Sequence, residues 1–226
     1  MCLFPKLIRN PKYRVNKKNG GQVPPMIDKR VQYVPIGCGY CMECAAKKAR
    51  EWKIRLAEDI KVHKNGKFIT LTFSSEAFLH IAKEVNKKQK KPKKGYTLDN
   101  AIATYAVRHF LERWRRKYKK SVRHWLITEL GGKGTENVHL HGIIWTDDIK
   151  EIERIWNNGT IPYGFVHMGK RKNGKLINYV SERTVNYITK YVTKIDPLHR
   201  SYKPKILCSK GIGRNYQDRK STRLNS

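Results

Sequence analysis

The residues of this chain best suited to chemistry begin with two histidines flanking one leucine, in the run Asn137-Val138-His139-Leu140-His141-Gly142-Ile143-Ile144-Trp145. The run is rich in branched and aromatic residues and reads as a β-strand. Successive strand side chains point to opposite faces, so His139 and His141 share one face while Leu140 turns into packing on the other. The preceding run, Val122-Arg123-His124-Trp125-Leu126-Ile127-Thr128-Glu129-Leu130, also reads as a strand, and Gly131-Gly132-Lys133-Gly134-Thr135-Glu136 supplies turn chemistry between them. A hairpin closing about Gly134 sets Glu129 opposite His139, with Cβ atoms about 4.5–5.5 Å apart. Glu129, His139 and His141 are thus the expected metal ligands. Mixed carboxylate and imidazole ligation suits Mg²⁺ or Mn²⁺ with positions left open for substrate, better than a closed zinc cage. A His-hydrophobe-His triplet by itself is equally at home as plain surface or core histidines, so the reading depends on what accompanies it.

The second chemical feature is Asn186-Tyr187-Ile188-Thr189-Lys190-Tyr191-Val192-Thr193-Lys194. It lies in a helix expected to start at the N-cap Ser181, with Glu182 in its first turn, and to stop at Asp196-Pro197. Val185, Ile188, Val192 and Ile195 form an apolar stripe; Tyr187 and Tyr191 fall along one edge of it, with Lys190 and Lys194 beyond. Two tyrosines at this spacing are ordinary boundary packing. Phosphoryl chemistry, however, benefits from a phenolate beside fixed cations, which makes Tyr187, Tyr191, Lys190 and Lys194 the catalytic candidates.

The third is Gly37-Cys38-Gly39-Tyr40-Cys41-Met42-Glu43-Cys44, a C-x₂-C-x₂-C knuckle. Three thiolates this close suit zinc, which needs a fourth ligand. Cys2 is the candidate, returned by the N-terminal arm, with Cys208 or a histidine as substitutes. An iron–sulfur cluster fits the spacing less completely, and three unliganded thiols are the bland alternative. Five cysteines, an odd number with three clustered, fit reduced thiols or metal ligands better than a disulfide framework.

Lys+Arg 49 against Asp+Glu 18 gives the 226-residue chain a formal net charge of +31. Such a field attracts polyanions, whether the protein is a nucleic-acid enzyme or a ribosomal or packaging protein that only coats its partner. The N-terminus lacks the apolar core of a signal peptide, and no run approaches the ~18 apolar residues of a membrane span, so a cytosolic protein without membrane partners is expected. Residues 1–36 contain five prolines and read as an extended basic arm. From Ala45 to about His63, Ala45, Ala49, Trp52, Leu56 and Ile60 recur at helical spacing. Lys67–Phe73 alternates like a strand, and residues 76–98 hold a short helix and a Lys-rich loop. Asp99–Lys120 is the longest helical signal, its apolar face set to pack on the sheet. Arg113, Arg115 and Arg116 on it, with Lys190 and Lys194, are the candidates for phosphate contacts. A helix near Asp148–Trp156 and a strand at Tyr163–Met168 follow; His167 there reads as structural.

These residues resemble the His-hydrophobe-His (HUH) endonucleases that initiate rolling-circle replication. Phe68-Ile69-Thr70-Leu71-Thr72-Phe73 resembles the first motif, His139-Leu140-His141 with Glu129 the metal-binding second, and Tyr187-Ile188-Thr189-Lys190-Tyr191 the third, which carries the nucleophile. The two-tyrosine form is similar to initiators of small single-stranded DNA phages of the Microviridae type. The cysteine knuckle, the following Arg50-Glu51-Trp52, and Gly211-Ile212-Gly213-Arg214-Asn215-Tyr216 resemble the gokushovirus branch. The resemblance implies an α+β fold, an antiparallel ferredoxin-like or RRM-like sheet with helices on one face and the active site on the other. It also implies metal-assisted attack of a tyrosine on single-stranded origin DNA, a 5′-phosphotyrosine link, and a free 3′-OH used by a host polymerase and helicase in the bacterial cytoplasm, with no small-molecule substrate. Residues 1–63 are then the arm, knuckle and amphipathic helix, 64–216 the endonuclease domain, and 217–226 a polar tail, truncated or foreign. A transposase or relaxase shares this chemistry, and a non-catalytic basic protein with a zinc knuckle shares the charge.

Overall fold

A computed structural model describes residues 2–87, 89–132, 136–173, 175–194, 199 and 201–214. The apex Gly134, Ile195, the Asp196-Pro197 stop, Asn215-Tyr216 and the tail 217–226 lie outside them. The chain divides into two compact units, residues 1–50 and 51–226.

The first unit is built on a two-stranded ribbon, β1 (Lys6–Arg9) and β2 (Tyr33–Ile36), paired antiparallel. The intervening segment is ordered by its own side chains. Asn16 caps a 3₁₀ turn at Lys17–Asn19 and Asn10 caps another at Pro11–Tyr13, the short-range bonding that lets Asn replace regular structure. Helix α1 (Met42–Val62) begins within the cysteine knuckle.

In the second unit β3 (Gly66–Leu71), α2 (Ser75–Asn86), α3 (Gly95–Tyr118), β4 (Arg123–Leu130), β5 (Val138–Trp145), α4 (Lys150–Trp156) and β6 (Val166–His167) follow one another. The short strands β7 (Lys170–Lys172) and β8 (Lys175–Ile177) form a separate hairpin, then come α5 (Glu182–Lys190) and β9 (Ile206–Cys208). The five-stranded sheet has the order β6-β3-β5-β4-β9, with every neighbouring pair antiparallel. Its first four strands, with crossovers through α2–α3 and α4, trace the β-α-β-β-α-β pattern of ferredoxin-like folds. The α+β sheet expected from the alternating sequence is therefore present.

Alternation decides what each face does. Ile69 and Leu71 of β3, Leu126 and Leu130 of β4, and Leu140 and Ile144 of β5 join Ile81 of α2, Val107, Phe110 and Trp114 of α3, and Ile152 and Trp156 of α4 in one core. The opposite face carries Phe68, Thr70, Trp125, Ile127, Glu129, His139, His141 and Ile143, and it is also partly covered. Trp52 of α1 meets Trp125 edge-on with ring centroids 5.7 Å apart, and α5 lies across the His141 end. Residues 124–130 are consequently buried without interruption, which is why the run reads apolar on both faces.

α5 is shorter than its sequence period suggests. The Ser181 capping box starts it as expected, but after Lys190 the backbone tightens into i→i+3 bonds, Tyr191 N–H to Ile188 O (3.3 Å), Val192 to Thr189 (3.2 Å) and Thr193 to Lys190 (3.1 Å). The β-branched pair Val192-Thr193 disfavours another α-turn, and a 3₁₀ turn is a common way to end a helix. At the other edge, Asp59 of α1 accepts from Arg123 Nε (2.8 Å) and the Gly213 N–H (3.1 Å), while Arg123 also donates to Gly211 O (3.0 Å). Gly211-Ile212-Gly213-Arg214 thus packs on α1 and β4 as a structural clasp.

Candidate active site and thiolate cluster

The β4–β5 register pairs Glu129 with His139 and Ile127 with His141, as closure about Gly134 requires. Gly142 makes that register possible. A Cβ at this position would overlap the Trp125 carbonyl oxygen and lie 2.8 Å from Leu126 Cα, so any side chain would force β4 away from β5 beside the two histidines.

The three side chains converge. Glu129 Oε2 is 2.7 Å from His141 Nε2 and 3.2 Å from His139 Nε2, and the three ligand atoms lie within 4.8 Å of one another. His139 Nδ1 lies 3.2 Å from the Asn137 carbonyl oxygen, and His141 Nδ1 lies 2.9 Å from Thr70 Oγ1. A carbonyl only accepts, so His139 carries its proton on Nδ1 and, as a neutral ring, turns the Nε2 lone pair toward the carboxylate. Lone pair facing carboxylate is repulsive unless a cation or a proton lies between them. The site thus has the donor set, the spacing and the outer hydrogen bonds of a group that could hold a divalent ion.

Lys194 Nζ is bound to Glu129 Oε1 and sits 5.8 Å from the Tyr191 ring centroid. Burial alone would push the Glu129 carboxyl up, but the hydrogen bonds from His139, His141 and Lys194 outweigh it and hold the group well below the usual carboxylate range. Burial pushes His141 down, against the attraction of Glu129 and with the help of His139 and Lys194.

Both tyrosines reach this place. The Tyr191 ring stacks on His141, centroids 4.5 Å apart and planes 7° apart, and its hydroxyl donates to the Tyr187 hydroxyl oxygen at 2.6 Å. Tyr187 is half exposed, at 48 %, and meets Phe68 edge-on at 5.8 Å, whereas Tyr191 is buried at 9 %. Burial first, then the bond to Tyr187 and the nearby Glu129 charge, push the Tyr191 phenol far up.

The remaining candidates separate. Lys190 is exposed and, among the described residues, stands outside the ring contacts and ion pairs around Glu129, whereas Lys194 takes part in them. Arg113 directs its guanidinium to the carbonyls of Ile155 and Trp156 (3.2 Å each) and to the Tyr163 ring (4.8 Å), tying α3 to the end of α4. Arg115 and Arg116 are exposed, but α3 covers the sheet face opposite Glu129, His139 and His141. His167 is exposed on β6. The sequence reading missed the supporting residues. Thr70 orients His141, Phe68 bridges His141 and Tyr187, and Asn178 pins Phe68 through its backbone N–H (2.8 Å) and carbonyl (2.6 Å). The signal that could have found them is the polar–aromatic face of β3, where Phe68 and Thr70 alternate with the buried Ile69 and Leu71.

The cysteines form a second cluster in the first unit. Cys2, Cys38, Cys41 and Cys44 place their sulfurs within 4.8 Å of one another, with Cys2–Cys41 at 3.8 Å and Cys38–Cys44 at 3.9 Å. A tetrahedral ion with metal–sulfur bonds of about 2.3 Å has its sulfurs about 3.8 Å apart. The Cys38 N–H points at Cys2 Sγ (3.2 Å) and the Cys41 N–H at Cys38 Sγ (3.3 Å), and Gly39 supplies the turn with φ of 82°. Cys208 lies on β9, paired with Trp125.

An antiparallel sheet presenting one carboxylate and two imidazoles beneath a pair of helix-borne tyrosines defines a protein built for metal-assisted chemistry on an acidic polymer, given the +31 charge. The family model for replication-associated protein ORF2 (gene 2 protein) matches residues 66–196, from β3 through α5, and the chain belongs to that family. No curated protein and no solved structure matches it significantly. Among the described residues no helix is long and apolar enough to cross a membrane.

Proposed function

We propose that this protein is an HUH-type replication initiator, akin to those of the Microviridae, that nicks single-stranded origin DNA and rejoins it. The observation that carries the reading is the convergence of Tyr187 and Tyr191, hydroxyls 2.6 Å apart, on the Glu129/His139/His141 cluster through the ring of His141. Residues 64–216 are the nicking domain in this reading. Held by Glu129, His139 and His141, Mg²⁺ or Mn²⁺ supplies Lewis-acid polarisation of the scissile phosphate. Tyr187, the more exposed of the two, offers its oxygen to the phosphorus; it accepts the Tyr191 hydrogen bond, of the kind that stabilises charge developing on an attacking oxygen. The Tyr187 O–P bond forms as the P–O3′ bond breaks, and the proton lost by the phenol ends on the departing 3′ oxygen. The chain keeps the 5′ phosphate as a phosphotyrosine and the free 3′-OH primes a host polymerase working with a helicase. Lys194, anchored on Glu129, and Lys190, at the exposed end of the helix, offset phosphate charge.

After one round of synthesis the first tyrosine still holds the 5′ end, so cutting the regenerated origin calls for the second. The test is incubation with single-stranded circular DNA and Mn²⁺ followed by a denaturing gel. Tyr187→Phe and Tyr191→Phe should each still form some covalent adduct in a single turnover but release no circles over a full cycle, and the double variant should form none. Adduct formation by the double variant would refute the reading.

A further inference from the structure

Residues 2–50 carry a surface that nicking does not use. Eleven Lys and Arg stand against two acids, Asp28 and Glu43, and Asp28 is paired with Arg30 at 3.0 Å. The unit also leaves flat apolar groups in water. Phe4 and Tyr40 stack on each other with centroids 6.3 Å apart and planes 12° apart, yet remain 59 % and 52 % exposed, and the Lys6 ammonium lies 5.8 Å from the Tyr40 centroid. On the ribbon, Leu7 faces Pro35 and Arg9 faces Tyr33, so Leu7, Arg9, Tyr33 and Pro35 share one side, with Leu7 and Tyr33 more than half exposed.

The cysteine cluster bears directly on this surface. Phe4 follows Cys2 by two residues, and Tyr40 lies between Cys38 and Cys41. Ligation of these cysteines by one ion therefore fixes both members of the stacked pair, although they are 36 residues apart in the chain. Exposed rings flanked by cations suit a polymer with phosphates and accessible base faces, which single strands offer and duplexes conceal. We propose that residues 2–50 are a zinc-organised module that binds single-stranded DNA, with lysines and arginines on the phosphates and Phe4, Tyr40 and Tyr33 beneath unpaired bases. The choice of DNA rests on the replication reading, but the binding itself needs neither tyrosine nucleophile.

Fluorescence anisotropy of the full chain with a labelled oligothymidylate of about 30 nucleotides, without added divalent ions, tests the module apart from nicking. Phe4→Ala/Tyr40→Ala should weaken binding about tenfold or more, since each lost base–aromatic stack costs at least several-fold, while Phe4→Tyr/Tyr40→Phe stays within about twofold of the parent. A duplex of the same length should bind both forms nearly alike. Cys38→Ser/Cys41→Ser should lose one zinc per chain by elemental analysis and bind the oligonucleotide as weakly as the alanine pair. Undiminished affinity of Phe4→Ala/Tyr40→Ala would overturn the proposal. So would a change of oligomeric state on sedimentation with affinity intact, which would mark the surface as a protein contact. Failure of the nicking reading looks different: an adduct formed by the double Tyr→Phe variant, with oligonucleotide affinity unaffected.

Discussion

The two ligand clusters of this protein are built on opposite plans. Glu129, His139 and His141 stand on paired strands, where backbone hydrogen bonds fix their register, and each histidine is oriented by a further bond to Asn137 or Thr70. Cys2, Cys38, Cys41 and Cys44 come from a chain terminus, a glycine-rich turn and the first turn of a helix, pieces that share no strand pairing at the sulfurs themselves. One plan is a rigid frame that leaves room beside its ligands for another molecule; the other is four soft thiolates closing on each other. Hard oxygen and imidazole donors with open positions suit catalysis, and a closed thiolate tetrahedron suits structure. The frame exists before the ion in the first case and depends on it in the second.

That contrast can be broken at several points. The largest expected effect is all-or-none: Cys41→Ser should lose tightly bound zinc entirely, whereas Glu129→Ala should retain one zinc per chain, as elemental analysis of the two purified proteins would reveal. If Glu129→Ala also emptied the thiolates, the clusters would not be independent. Next, His141→Ala should lower the rate of adduct formation with Mn²⁺ on the order of 10³-fold while the circular-dichroism spectrum stays unchanged, because the strands hold their register without it. Unimpaired cleavage by this variant in EDTA would remove the metal from the chemistry.

A third change tests the frame rather than its ligands. Gly142→Ala should cost about 2–3 kcal/mol, lowering Tm by roughly 5–10 °C, since the added methyl meets backbone that cannot yield without moving β4. A melting temperature within a degree of the parent would show that the strand pair tolerates separation. The smallest effect is expected at Thr70. Removing its hydroxyl in Thr70→Val should weaken the Mn²⁺ dependence of cleavage by about tenfold, and Thr70→Ser should restore it, because only the hydrogen bond to His141 Nδ1 is at stake. Equal behaviour of the valine and serine variants would make Thr70 a packing residue.

Particular residues mark what was legible in advance. The period-2 pattern around Leu140 placed His139 and His141 on one face, and the turn residues between the strands fixed Glu129 opposite His139; both follow from short-range geometry, which sequence spacing encodes. The four-residue spacing of Tyr187 and Tyr191 put them on one helix edge for the same reason. Cys2 joined Cys38, Cys41 and Cys44 because thiolate count, rather than position, singled it out. Composition pointed to a polyanionic partner, since net charge needs no fold to be read.

Other features depended on contacts between residues far apart in the chain, to which local periodicity is blind. Lys194 reaches Glu129 and Lys190 does not, because the helix tightens after Lys190 and the two lysines leave it in different directions. Arg113 looks on a helical wheel like any other arginine of α3, yet it is taken up by the carbonyl end of α4. Thr70 becomes an active-site residue only through its pairing with His141 across two strands, and Tyr191 becomes the buried partner of Tyr187 only because α5 docks with that ring on His141. The sequence determined which groups are present and which neighbours share a face, and tertiary packing, by choosing among equivalent side chains on those faces, decided which of them meet.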